Sequence, residues 1–175
     1  MPHYVRAFVP GGTFFFTVAI LERRRRLLTD HVDLLRQSFS RVRAERPFRI
    51  DAVVVLPDHL HCIWTLPPDD ADFSSRWHAI KSTFSRGIAR GEGLSERRLS
   101  KGERDIWQRR FWEHAIRDER DFEKHVDYIH YNPVKHGHAR TVVEWPHSSF
   151  HRFAAAGVYP TDWAAGNEIR ELEFE

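Results

Sequence analysis

The sequence predicts an α+β domain, a ferredoxin-like antiparallel sheet with helices packed on one of its faces. Short apolar segments alternate with longer segments of helical periodicity, and two apolar segments follow one another across a single Pro-Asp turn. No internal repeat interrupts this order. The chain therefore reads strand, helix, strand, strand, helix, strand, helix, an order typical of antiparallel α+β sandwiches.

The first half of the chain predicts one strand, one helix and a hairpin. A Gly-Gly turn precedes an apolar strand over 13–21. Thr29 and Asp30 suit the N-terminus of a helix over 29–45, whose apolar residues recur at helical spacing. Two strands follow, over 48–56 and 59–66, and Pro57 with Asp58 forms the tight turn between them.

The second half predicts two helices that flank one irregular strand. Ser74 and Ser75 suit the start of a helix over 74–90. A polar, charged and mobile loop follows, and 106–117 reads as a strand with a turn in it. The acidic residues after 117 favour the start of a final helix, and Pro133 is expected to end it.

Length and composition indicate one domain over 1–163 and an acidic tail over 164–175. A chain of 175 residues with 41% hydrophobic residues can bury a core, which excludes a disordered protein. The single cysteine, Cys62, excludes an intramolecular disulfide and fits a reducing cytoplasm. The N-terminal apolar run of about nine residues is too short to span a bilayer, so no membrane association is expected.

The net charge of +2 conceals a gradient along the chain. Between Arg76 and Arg110 there are ten lysines and arginines against four acids, a local charge of about +6. From Pro160 to Glu175 there are five acids and one arginine, about −4. The basic segment favours a polyanionic partner such as nucleic acid, and the tail is either solvated or competes for that basic surface.

Two histidines stand one residue apart in the second hairpin strand, in the stretch VVVLPDHLHCIWTLP. Side chains alternate between the faces of a strand, so His59 and His61 share one face and Leu60 and Cys62 share the other. Two imidazoles on one face can share a metal ion, and Asp58 could orient one of them. The alternative is a pair of polar residues at a sheet edge, with Asp58 as a simple turn residue.

The final helix carries a second polar pair within HVDYIHYNPVKHG. Tyr128 and Asn132 are four residues apart and therefore share a helix face, whereas Tyr131 points elsewhere. A phenol and an amide oxygen on one face could serve one site. The alternatives are an amphipathic tyrosine and an asparagine at a helix end.

These motifs, together with SSRWHAIKSTF, WQRRFWEHAIRDERDFEKHVDYIHYNPVKHG and WPHSSFHRF, resemble those of the REP-associated tyrosine transposases. These proteins are relatives of the single-tyrosine HUH transposases, and the resemblance extends from about Tyr4 to Trp163. It implies the HUH transposase fold, with the histidines on a central strand. It also implies a cytoplasmic, nucleoid-associated protein that acts as a monomer on single-stranded DNA with a REP-type hairpin.

The resemblance also implies a role for each site residue. His59 and His61 would bind Mg²⁺ or Mn²⁺, and Tyr128 would attack the DNA to form a 5′-phosphotyrosine intermediate. Asn132 stands where insertion-sequence relatives carry a glutamine metal ligand, but its side chain is one carbon shorter. The implied activity is metal-dependent nicking and strand transfer by an endonuclease and transposase.

Cations and aromatic residues elsewhere in the chain are candidates for holding the DNA. Trp77, Trp107 and Trp112 are possible stacking platforms, although a core position is the alternative for each. The candidate phosphate contacts, each also interpretable as a solvated charge, are Arg23, Arg24, Arg76, Lys81, Arg86, Arg109, Arg110 and Lys135.

Two other functions remain open from the sequence. The chain has 12 histidines, and a helical His125 could enter a zinc site, so a metal-dependent phosphodiester hydrolase is one alternative. A non-catalytic nucleic-acid-binding module is the other. Only a nicking transposase requires Tyr128, which makes this residue the discriminating one.

Overall fold

A computed structural model describes residues 6–89, 92, 94–101 and 105–174. Its centre is one antiparallel sheet of four strands, in the spatial order β2 (Arg49–Val55), β3 (His59–Thr65), β1 (Thr13–Ala19) and β4 (Trp112–Ala115). The histidine-bearing strand β3 is therefore central, as the resemblance implied.

The helices keep the predicted order and add several short ones. The long helices are α2 (Val32–Glu45), α3 (Phe73–Gly87) and α5 (Glu119–Lys135), and each corresponds to one of the three predicted helices. The helical segments are α1 (Leu27–Asp30), α2 (Val32–Glu45), α3 (Phe73–Gly87), α4 (Glu96–Ser100), α5 (Glu119–Lys135), the 3-10 turn Val142–Glu144, α6 (Phe150–Ala155) and α7 (Asn167–Arg170). No helix within the described ranges is long and apolar enough to cross a membrane.

Helices cover both faces of the sheet, which differs from the predicted single covered face. The alternation of β1 explains this, since Phe14 and Phe16 are buried toward one face and Phe15 toward the other. Helices α2 and α3 pack on the Phe14 side with Trp64 and Trp77 in the core. Helix α5 packs on the Phe15 side, where side chains from β2 and β3 complete a second core.

Three predicted helix boundaries are wrong by a few residues. Thr29 and Asp30 form the extra turn α1, and α2 begins after His31. Asp72 caps α3 instead of the two serines, because its carboxylate accepts a hydrogen bond from the Ser75 N–H at 2.9 Å. Pro133 lies inside α5, which continues to Lys135, although proline has no N–H to donate to the carbonyl of Ile129.

The last predicted strand agrees with the sequence, whereas the loop before it contains a helix that was not predicted. Within 106–117, β4 is regular, and Trp107 makes an isolated bridge to Ile20 on the far side of an irregular stretch. The predicted loop over 91–105 contains helix α4, which Ser95 caps. Its residues 91, 93 and 102–104 lie outside the described residues, so its predicted mobility stays a prediction.

Candidate active site

The two histidines of β3 lie buried under helix α5, with their ring centroids 4.9 Å apart. The His59 Nδ1–H donates to the Asp58 carboxylate at 2.8 Å, and Arg23 donates to the same carboxylate at 2.5 Å. Burial alone would raise the pKa of Asp58, but these two hydrogen bonds hold it below its ordinary value. Asp58 is thus an ionised partner that orients His59 and not only a turn residue.

Thr17 fixes the orientation of the second histidine. It is paired with His61 across β1 and β3, and its hydroxyl lies 2.8 Å from His61 Nδ1. The same hydroxyl donates its single hydrogen to the carbonyl of Phe174, so His61 Nδ1 must be the donor toward Thr17. In the neutral ring Nε2 then carries the lone pair, and this is the tautomer that can bind a cation through Nε2.

Helix α5 and its C-terminal cap carry three polar side chains at successive turns, and the first and last of them contact these histidines. The Tyr128 ring is buried and lies 5.3 Å from the His61 ring. Asn132, one turn later, is fully buried, and within the described part of the chain neither of its amide atoms has a hydrogen-bond partner. His136, a further turn along, has its ring 5.1 Å from the His59 ring.

His136 is the residue that the sequence analysis did not single out. The spacing of four residues from Tyr128 to Asn132 and again to His136 was available as a signal, because such residues form one stripe along a helix. The sequence prediction that Tyr131 points elsewhere is consistent with its position beneath the Arg170 guanidinium, on the α7 side of α5.

A second polar cluster lies beside the first. His114, Asp121 and His125 offer three potential ligand atoms within 4.8 Å of one another. His114 Nε2 hydrogen bonds to the Asp121 carboxylate at 2.8 Å, and His125 Nδ1–H donates to the Asp121 carbonyl at 2.7 Å. Burial opposes ionisation of Asp121, but its hydrogen bonds prevail and lower its pKa to about 2.

The C-terminal segment closes over Tyr128. The backbone N–H of Phe174 donates to the Tyr128 hydroxyl at 3.3 Å, and the two rings meet edge to face at 4.8 Å. The Lys135 ammonium donates to the backbone carbonyl of Leu172 and lies over the Tyr128 ring. Within the described residues, the tail thus covers the nucleophile candidate with backbone groups and a phenyl ring.

The candidate DNA contacts do not form one surface. Arg23 and Lys135 lie beside the histidines and Tyr128. The α3 face of the sheet carries another group, Lys81, Arg86 and Arg109, which line one open cleft with polar neighbours. Burial lowers the pKa of Lys81 to about 8. Arg24 and Arg110 are exposed.

Arg76 is a correction to the predicted set, because it is buried and serves the fold. Its guanidinium makes two hydrogen bonds to the Asp70 carboxylate, at 2.7 and 3.0 Å. Its remaining bonds go to the backbone carbonyls of Arg46, Pro47 and Asp72. A side chain with 3% exposure and these partners cannot also contact a phosphate.

We expect Arg76→Met to lower the free energy of unfolding by about 3 kcal/mol, because it leaves Asp70 and three carbonyls without their donor. Urea unfolding measures this, and the exposed Arg86→Met is the matched control, with an expected cost below about 0.5 kcal/mol. Full stability of Arg76→Met combined with weaker DNA binding would restore the predicted DNA contact.

The three tryptophan candidates also divide into buried and exposed residues. Trp77 and Trp107 are buried, so they belong to the core and are not available as stacking platforms. Trp112 is 49% exposed on the edge strand β4. It lies directly opposite Thr17 in the sheet register and so shares the face that carries His61. Of the three, only Trp112 remains a candidate for base stacking.

Comparison with known proteins adds independent findings. The sequence profile of the family described as "Transposase IS200 like" matches residues 15–132. The REP-associated tyrosine transposase of Escherichia coli is 51% identical over 164 residues, which cover 94% of this chain and 92% of that protein. A solved structure of a REP-associated tyrosine transposase bound to a REP hairpin superposes with a TM-score of 0.82 at 50% identity, covering 95% of this chain and 93% of the other. This chain therefore belongs to the REP-associated tyrosine transposases, within the family of IS200-like transposases.

Proposed function

We propose that this protein nicks and rejoins single-stranded DNA at REP-type hairpins, with Tyr128 as the nucleophile. The observation that carries the proposal is the position of the Tyr128 ring 5.3 Å from the tautomer-fixed His61, in a chain of this transposase family. The hairpin substrate is inferred from the related structure, which contains a REP hairpin.

The residues fit a divalent cation, which we propose to be Mg²⁺ or Mn²⁺. His59 and His61 each use Nδ1 for a protein hydrogen bond, so Nε2 is the nitrogen that would bind the ion. Asn132 is fully buried with no hydrogen-bond partner among the described residues, which suits a third ligand, either directly or through water. Two imidazole ligands favour Mn²⁺ over Mg²⁺.

The chemistry follows from these side chains. A bound cation would withdraw charge from the scissile phosphoryl group and stabilise the charge that develops during attack. The Tyr128 oxygen forms a bond to phosphorus, the bond from phosphorus to the 3′ oxygen breaks, and the phenolic proton is transferred overall to that oxygen. The products are a 5′-phosphotyrosine and a free 3′-OH. The reverse reaction with another 3′-OH rejoins the strand without ATP.

The basic residues divide between two proposed tasks. Arg23 and Lys135, beside the site, would bind phosphates near the cut. Lys81, Arg86 and Arg109 in the α3 cleft, with the exposed Arg24 and Arg110, would bind the DNA backbone elsewhere. We also propose that the protein acts as a monomer in the cytoplasm, associated with the nucleoid, and that 1–163 is the catalytic domain with 164–175 as its tail.

The test uses hairpin oligonucleotides labelled at either end, incubated with Mn²⁺, Mg²⁺ or EDTA and separated on denaturing protein gels. The 3′-terminal label should travel with the protein only when metal is present, and the 5′-labelled fragment should be released with a 3′-OH. His61→Ala should abolish capture, whereas His147→Ala, a histidine outside the site, should not. Cleavage with no covalent product would favour the hydrolase, and binding with no cleavage under any metal would favour the binding module.

A further inference from the structure

The ring of Phe174 occupies an aromatic slot beside Tyr128. It lies parallel to the His125 ring, at 4.4 Å between centroids and 16° between planes. Tyr128 and Phe15 meet its edges, at 4.8 Å and 5.7 Å. The slot therefore accepts one flat ring, stacked on His125 and enclosed by two other aromatic side chains.

The His125 ring, on which Phe174 stacks, is held in place by neighbouring side chains. His114 also lies parallel to His125, at 4.7 Å and 13°, so His125 makes parallel ring contacts with both His114 and Phe174. Asp121 fixes both histidines, through its carboxylate to His114 and its backbone carbonyl to His125. An imidazole binds a cation in the plane of its ring, and the stacked rings of His114 and His125 lie in separate, nearly parallel planes that do not converge on one ion. This arrangement suits stacking better than metal binding.

The backbone of Phe174 also meets the polar groups at the site. Its N–H reaches the Tyr128 hydroxyl, and its carbonyl accepts from Thr17. A nucleotide offers a flat base with adjacent oxygens, and these oxygens can replace the Phe174 carbonyl as acceptors from Thr17 and can accept from the Tyr128 hydroxyl once the Phe174 N–H has left it. With the base on His125, the phosphate oxygens of that nucleotide would reach Thr17 and the nucleophile candidate Tyr128.

We infer that the Phe174 slot is the binding site for the nucleobase next to the scissile phosphate, with His125 as its stacking platform. The tail phenyl ring and the base compete for the same space. This inference rests on the proposed function, because it takes Tyr128 to be the residue that attacks the DNA. It assigns to the His114, Asp121 and His125 cluster a role in positioning the substrate base.

The test measures base stacking without DNA cutting. In a Tyr128→Phe background, the fluorescent base 2-aminopurine is moved one nucleotide at a time along the single-stranded part of a hairpin oligonucleotide. Stacking quenches its emission, so one position should be quenched about threefold or more when the protein binds. Phe174→Ala should deepen the quench at that position, and Phe174→Trp, which refills the slot, should reduce it.

Variants of His125 test whether this residue acts by stacking on the base. His125→Phe keeps a flat ring and should keep the quench, whereas His125→Leu should remove it. An abasic nucleotide at the same position should weaken binding to Phe174→Ala by about tenfold, and His125→Leu should remove that difference. Since Phe174 lies outside the described helices and strands, its variants remain informative even if His125→Leu fails to fold.

The outcomes distinguish this inference from the proposed function. If the oligonucleotide binds but no position responds to Phe174 or His125, the slot is not a base site, even if wild-type protein captures DNA covalently. If one position responds but protein with Tyr128 never captures DNA, the base-binding inference is supported and the proposed nicking activity is rejected. Agreement requires that the responding nucleotide borders the phosphate that wild-type protein cuts.

Discussion

Tyr128→Phe should reduce covalent capture of hairpin DNA below detection, by at least about 10³-fold, while leaving the fold intact. The substitution removes only the hydroxyl that would attack phosphorus. The ring packs against His61, Phe15 and Phe174, and this packing remains with phenylalanine. The free energy of unfolding should change by about 1 kcal/mol or less, the usual net value of one hydrogen bond.

The measurement is a time course of the protein–DNA adduct on denaturing gels, with thermal unfolding of the same preparations. Tyr131→Phe is the matched control, since Tyr131 lies on the same helix on the α7 side and should retain wild-type capture. DNA affinity of Tyr128→Phe should stay close to wild type. An adduct that persists in Tyr128→Phe, or disappears in Tyr131→Phe, would assign the nucleophile elsewhere.

Phe174→Ala should accelerate covalent capture by roughly tenfold, because the tail must leave before DNA can reach Tyr128. The substitution removes one aromatic stack and weakens the hold of the tail on the site, together about 1–2 kcal/mol. A site that is covered most of the time binds its substrate more weakly in proportion to the open fraction. Truncation after Arg170 should give an increase at least as large.

A variant that changes only charge distinguishes steric blocking of the site by the tail from electrostatic competition with DNA. Glu171→Gln combined with Glu173→Gln removes two exposed carboxylates and leaves Phe174 in place. If the tail acts through its phenyl ring and backbone, this double variant should capture DNA at close to the wild-type rate. If the double variant accelerates capture as much as Phe174→Ala, the acidic tail acts by charge, as one interpretation of the sequence suggested.

Local periodicity was enough to predict much of the site. A period of two along β3 places His59 and His61 on one face, and the structure confirms this with Leu60 and Cys62 in the opposite core. A spacing of four along α5 brings Tyr128 and Asn132 to the same site. These predictions succeed because the direction of a side chain within one strand or helix depends only on its backbone.

Tertiary structure alone decided the features that depend on distant partners. Arg76 looked like a DNA contact by charge, but its place in the fold turns it inward to Asp70 and to carbonyls about 30 residues away. Likewise, no local pattern relates Phe174 to Tyr128, which lies 46 residues earlier. The sequence by itself determined which residues could perform the chemistry. Packing between elements decided which cations are buried, which face α5 covers and what closes the site, because burial and pairing depend on neighbours that are remote along the chain.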